Sequence, residues 1–168
     1  TLPQMEHPSI QEDESEQAIE ISQQNLEKAF SELCWIAYSP STFDPTQTPI
    51  LWPSTESIRA DLLALHNLGF NGLVTYGSYM DNSHRANRTI NIPALAEEAG
   101  FEGMIFGVWD PNDRQEVNNA VAASGQTIVL GYSVGNEGLN VRYDFDTLLA
   151  AMNRLRRVSN KPVTTTEE

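Results

Sequence analysis

The sequence predicts an α/β fold of the parallel (β/α)8 TIM-barrel type, apparently incomplete, with about five strands, four intervening helices and an N-terminal helix. Three observations carry this expectation. Short apolar segments rich in β-branched residues alternate with amphipathic stretches that have caps and stops, the pattern of buried parallel strands joined by helices. One turn occurs twice, as Gly69-Phe-Asn-Gly72 and Gly100-Phe-Glu-Gly103, as expected when the same helix-to-strand connection is reused. Finally, almost every strand segment ends in aromatic, amide or carboxylate residues, and in a parallel barrel those ends converge on one face.

The elements follow in order. Residues 1–16 are polar, acidic and contain proline, and read as a solvated tail; residues 17–168 read as the partial barrel. Ile19, Leu26, Phe30 and Leu33 lie at helical spacing and lead into the first strand, Cys34-Trp-Ile-Ala-Tyr38. A helix follows Pro53-Ser54-Thr55, with Ile58, Leu62, Leu65 and Leu68 on one face and Gly69 as its stop. The second strand is Gly72–Tyr76, and a short helix spans Pro93 to Ala99, with proline near its first turn and Gly100 after its end. The third strand, Gly103–Val108, precedes a helix opened by Asp113 and Glu116 at capping-box spacing, burying Val117, Ala120 and Val121, and stopped at Gly125. Thr127–Tyr132 reads as the fourth strand. The fourth helix uses Phe145, Leu148, Leu149, Met152 and Leu155 and breaks at Lys161-Pro162, before the fifth strand, Val163–Thr166.

Two architectures compete for this count. A doubly wound sheet of five strands is complete at 168 residues, whereas a barrel usually needs about 250. Length favours the open sheet. The placement of polar and aromatic groups at strand ends favours the barrel.

Composition narrows the chemistry. Ten basic against 23 acidic residues leave a net charge of −13, without the Lys/Arg surplus that nucleic-acid binding rests on and repelled by anionic membranes. No apolar run approaches a membrane span. The single cysteine, Cys34, has no internal disulfide partner, and no Cys/His pair has zinc-ligand spacing, so neither a metal nor a cofactor is expected. There is no Gly-rich phosphate loop after the first strand, which leaves nucleotide binding without support. The start, Thr-Leu-Pro-Gln, reads as a terminus set by processing or cloning, and the compartment is not legible in it.

The strand ends are Tyr38-Ser39, Tyr76-Gly77-Ser78, Trp109-Asp110, Asn136-Glu137 and Glu167-Glu168. A carboxylate among aromatic platforms and amides suits a sugar, whose CH face packs on rings while its hydroxyls need paired donors and acceptors. Blander readings stand beside this one. Glu137 also reads as a solvent-facing loop carboxylate, Trp35 as core, and Trp52 either as a rim platform or as packing of its own loop. His66 reads as an ordinary helical histidine, and His84 with Arg85 and Arg88 as part of a solvated loop.

The segment Tyr132-Ser-Val-Gly-Asn-Glu137-Gly-Leu-Asn-Val-Arg142 resembles the Val-Gly-Asn-Glu motif at the end of the fourth strand in glycoside hydrolase family 17, the β-1,3-glucanases and related transglycosylases. The resemblance runs from about Trp35 to Glu168, with Tyr38, Tyr76 and Pro162-Val-Thr-Thr-Thr-Glu167 falling at that family's first, second and fifth strands. It implies a retaining mechanism with Glu137 as general acid/base and Asn136 holding the sugar 2-hydroxyl. Tyr38, Tyr76, Trp109, Asp110 and Glu167 would line the substrate site. It implies a β-glucan or oligosaccharide as partner, and such substrates point to an extracytoplasmic location.

One departure is plain. Retention needs a second carboxylate about 5–5.5 Å from the first, which the family supplies from its seventh strand, so the chain is expected to be the N-terminal portion of an enzyme. The same residues admit two other functions. A site without its nucleophile can be a non-catalytic β-glucan-binding module, and a half-barrel can self-assemble as a homodimer through its open strand edges.

Overall fold

The computed structural model describes residues 23–24, 26–44, 46–77 and 90–167. The acidic tail, Ser78, the His84/Arg85/Arg88 cluster and Glu168 lie outside the described residues. The chain divides at Glu32/Leu33 into two units. In the first, the described residues 23–24 and 26–32 are helical, with Lys28 and Glu32 paired one turn apart at 3.7 Å.

Among its described residues the second unit holds five strands and the helices between them: β1 (Trp35–Tyr38), α1 (Thr55–Asn67), β2 (Gly72–Thr75), α2 (Ile92–Ala99), β3 (Gly103–Val108), α3 (Arg114–Ala122), β4 (Val129–Asn136), α4 (Phe145–Ser159) and β5 (Val163–Thr166). A single 3-10 turn, Ala123–Gly125, closes α3. All neighbouring strands pair in parallel, in the order β1-β2-β3-β4-β5. That order decides between the two architectures. A doubly wound sheet reverses its strand order at a switch point, whereas five strands laid down in sequence continue in one direction, as in the wall of a barrel. The fold is an α/β chain consistent with part of a (β/α)8 barrel.

Local chemistry explains the elements. Ser54 caps α1 by accepting the Ser57 N–H, and the Ser57 hydroxyl accepts from the Ser54 N–H, a reciprocal capping box. Asn91 caps α2 with proline in its first turn, and Gly100 ends it at φ 102°. The two Gly-Phe-x-Gly turns have a common cause. Their second glycines, Gly72 and Gly103, are register partners on β2 and β3, and an added Cβ would lie 2.6 Å from the Trp35 ring at Gly72 and 2.4 Å from Leu33 at Gly103. Trp35, partly buried, therefore lies against strands that begin without side chains.

The core sits under β2, β3 and β4: Leu73, Met104, Val108, Val129 and Val134 are fully buried and packed with Ile58, Leu62 and Leu155 from the helices. Arg59 of α1 grips Glu98 of α2 through two bonds of 3.1 and 3.3 Å, and Arg154 of α4 reaches Asn118 of α3 at 2.7 Å.

Three expectations need correction. β4 runs from Val129 to Asn136, four residues beyond the expected end at Tyr132; Ser133 and Gly135 break the apolar run, but pairing with β3 and β5 carries the strand onward. Phe145 and Leu149 do not belong to the buried face of α4, being 60% and 37% exposed. At about 100° per residue they fall roughly a quarter-turn or more to the side of the stripe formed by Leu148, Ala151 and Leu155. Leu68 is likewise 75% exposed, because the α1 helix has already ended at Asn67.

Candidate functional site

Where β1, β2, β3 and β4 end, four of the expected site residues meet. Tyr38, Tyr76, Trp109 and Asn136 line one cavity of about 560 Å³, together with residues of the β1–α1 loop, notably Phe43 and Trp52. Most of its wall is ring and proline surface. A cavity with flat apolar walls and few polar groups suits a ligand with CH faces.

The loop wall is built by Asp61 of α1. Its carboxylate accepts from the Tyr38 hydroxyl at 3.1 Å, the Ser41 N–H at 2.9 Å and the Ser41 hydroxyl at 2.6 Å. Burial, then the Asp61 charge and hydrogen bond, push the Tyr38 phenol far above its ordinary range. Tyr38 thus offers ring surface with its hydroxyl already engaged. Further along, Asp44 and Leu51 exchange backbone hydrogen bonds of 3.0 and 3.1 Å, and Phe43 packs on Trp52 with ring centroids 5.4 Å apart. Trp52 therefore does both things considered for it: it packs its loop and faces the cavity.

Trp109 is braced from two sides. Glu116 of α3, with 0% exposure, accepts the N–H of Trp109 at 2.6 Å and of Asp110 at 2.9 Å. The spacing suggested a capping box, of which only the Asp113 half forms. Asp113 does cap α3, but its own N–H donates to the Asp110 carbonyl, while Glu116 turns inward to the end of β3. Its Oε1 also underlies Gly77, where a Cβ would approach it to 3.0 Å. On the other side the Arg142 guanidinium lies 4.4 Å over the Trp109 ring, and its Nη2 donates to the Asn136 carbonyl. Arg142 thus ties the end of β3 to the end of β4.

Glu137 follows β4 directly. It is exposed, and its backbone is left-handed at φ 48°, between Gly135 at 81° and Asn140 at 61°. Its N–H donates to the Thr166 carbonyl at 2.9 Å. A bulky residue in this region is uncommon and is held there only by its surroundings.

Two expected residues are engaged elsewhere. The Asp110 carboxylate accepts the Asn112 N–H at 2.9 Å and stabilises its own turn. Glu167 accepts from Gly138 N–H and Leu139 N–H, both at 2.9 Å, and from the Tyr143 hydroxyl. Burial alone raises its pKa, but these three bonds and the Arg142 charge outweigh it and leave the carboxyl below its ordinary value.

Sequence reasoning missed Phe43, Asp61, Glu116 and Tyr143. Phe43 stands in a loop without periodicity, and the other three act on partners far along the chain or outside their own element. The only usable signal was at Glu116, an acidic residue at a helix start that already had a cap.

No family model matches the chain, and no curated protein does. Among solved structures, the chain is similar to the crystal structure of an endo-laminarinase from Formosa Hel1_33_131, with a TM-score of 0.52 and 25% identity over 77% of this chain. The match covers 38% of that enzyme, so the chain spans well under half the length of the structure it resembles. Its fold is therefore glucanase-like.

Proposed function

We propose that this chain carries the acid/base half of a retaining glycoside hydrolase or transglycosylase site for β-glucan, of the family 17 kind, with β-1,3-linked glucose as substrate. The observation that carries the reading is the juxtaposition at the end of β4. Asn136 lines an aromatic cavity, and Glu137, which is not among the lining residues, follows it directly along the chain in an unusual backbone conformation and is exposed. The likeness to an endo-laminarinase, an enzyme of β-1,3-glucan, supports the same substrate class.

In this reading sugar rings stack on Trp109, Tyr76 and Trp52, and the Asn136 amide holds a 2-hydroxyl, an interaction that strengthens as the ring gains oxocarbenium character. Glu137 protonates the departing glycosidic oxygen and then takes a proton from the incoming water or sugar. A carboxylate nucleophile is also required. Glu167 is a poor candidate, since both its oxygens are already held, so the reading takes the nucleophile from outside these five strands.

A second reading, a β-glucan-binding module without turnover, is favoured by one observation: among the described residues the cavity is lined by aromatic rings, prolines and the Asn136 amide and by no carboxylate. Product analysis by mass spectrometry separates the two. Because the reading takes the nucleophile from outside these five strands, a β-1,3-gluco-oligosaccharide is incubated, with azide or formate supplied as the external nucleophile, with the chain and with Glu137→Gln. Products that vanish in the variant support catalysis, whereas binding without products, unchanged in Glu137→Gln, selects the module.

A further inference from the structure

We infer that Glu167 and Tyr143 are positioning residues for Glu137, clamping the backbone that carries it into the conformation that presents its carboxyl at the end of β4. This rests on the reading of Glu137 as the acid/base.

Four successive N–H groups span the motif, and each has a partner: Asn136 on the Tyr143 hydroxyl at 2.8 Å, Glu137 on the Thr166 carbonyl, and Gly138 and Leu139 on the same Glu167 oxygen. Two adjacent amides aimed at one carboxylate oxygen form an anion-binding concavity, here filled by a side chain of the same chain. The Tyr143 hydroxyl accepts from Asn136 and donates to the other Glu167 oxygen, so the two halves of the clamp are joined.

Such a device is needed because the loop is strained. Left-handed backbone at a non-glycine residue brings Cβ too close to the following carbonyl oxygen, and this loop contains two such residues, Glu137 and Asn140. Charge-assisted bonds to a carboxylate are the stronger class of hydrogen bond and suit that task. Gly135 belongs to the same device. An added Cβ there would lie 2.5 Å from Glu167 Oε1 and 2.6 Å from the Tyr143 oxygen, so the motif's glycine is what lets the clamp close. The clamp also accounts for a glutamate at the end of β5 that neither faces the aromatic cavity nor leaves an oxygen free for chemistry.

The test uses the whole chain, isotopically labelled, as wild type, Glu167→Gln and Tyr143→Phe. In the wild type the Gly138 and Leu139 amide proton shifts should follow one titration, below the ordinary glutamate range, that is absent from Glu167→Gln. Amide exchange at 137–139 should accelerate about tenfold or more in both variants, with β3 amides unchanged, and Glu137 backbone shifts should move toward random-coil values. If Glu167→Gln does not fold, Tyr143→Phe, which removes one hydroxyl, carries the same comparison. Unchanged exchange and unchanged Glu137 shifts in a folded variant would overturn the clamp. Where the wild type turns over a β-1,3-gluco-oligosaccharide, both variants should lose about tenfold or more in kcat with KM little altered; an equal loss in KM alone would overturn a positioning role. Since the proposed reading takes the nucleophile from outside these five strands, a chain without turnover leaves that reading standing, and the amide data then decide the clamp.

Discussion

Glu116 offers the sharpest energetic consequence. It is fully buried, and its two oxygens accept the N–H groups of Trp109 and Asp110 at 2.6 and 2.9 Å. Replacing it with alanine leaves both donors without that acceptor and opens a void beneath Gly77. A buried donor left unsatisfied costs about 1–3 kcal/mol, so two donors predict a loss of roughly 2–6 kcal/mol, toward the lower end if water enters the void. Glu116→Gln keeps the shape and one acceptor but turns an amide N–H₂ toward a backbone donor, and should cost about half as much. Urea unfolding of wild type and both variants, followed by far-UV circular dichroism, measures this directly. The order wild type, Gln, Ala in falling stability is expected. Because the same carboxylate holds the backbone of Trp109, tryptophan emission of the folded Gln variant should shift as well. An alanine variant within about 1 kcal/mol of wild type would refute the account of Glu116 as the support of the β3 end.

Two further outcomes follow from the same geometry. Trp109→Ala should weaken binding of a β-1,3-gluco-oligosaccharide by more than about tenfold, and Arg142→Met, which removes the cation braced on the Trp109 ring, by a smaller factor, at most the about thirtyfold that a whole cation–π contact of about 0.5–2 kcal/mol is worth; isothermal titration calorimetry reads both, and equal affinities would remove Trp109 from the site. For Glu167 the folded carboxyl lies below its unfolded value, so its contribution to stability is complete above the ordinary glutamate pKa of about 4.3 and is lost as pH falls through the lower folded value. The stability difference between wild type and Glu167→Gln, measured by denaturant titration, should therefore stay constant from neutral pH down to about 5 and narrow below 4. A difference that widens on acidification would mean that the bonds from Tyr143 and the two amides do not favour the charged form.

Much of the local structure is legible along the chain. The Ser54 cap, the Gly100 stop, the two Gly-Phe-x-Gly turns and the short β-branched runs sit where residue chemistry alone puts them, because each depends on neighbours within about one turn. The Asn136-Glu137 pair at a strand end was equally visible, as was the aromatic character of Tyr38, Tyr76 and Trp109. Where reading failed, the deciding contact was distant. β4 continues past Tyr132 because β3 and β5 flank it, and Phe145 is exposed because only part of the apolar surface of α4 meets the sheet.

The three glutamates near the strand ends show the division most clearly. In the sequence, Glu116 has the spacing of a helix cap, and Glu137 and Glu167 both look like strand-end acids. In the folded chain Glu116 is buried against two amides of β3, Glu167 closes on the amides of the β4 loop, and Glu137 stands exposed on a left-handed backbone. Helical period, caps and β-branched runs determine the elements, since these are properties of short segments. Which carboxylate is a support and which is left exposed is decided only in tertiary structure, because it depends on which N–H groups the other strands bring within hydrogen-bonding reach.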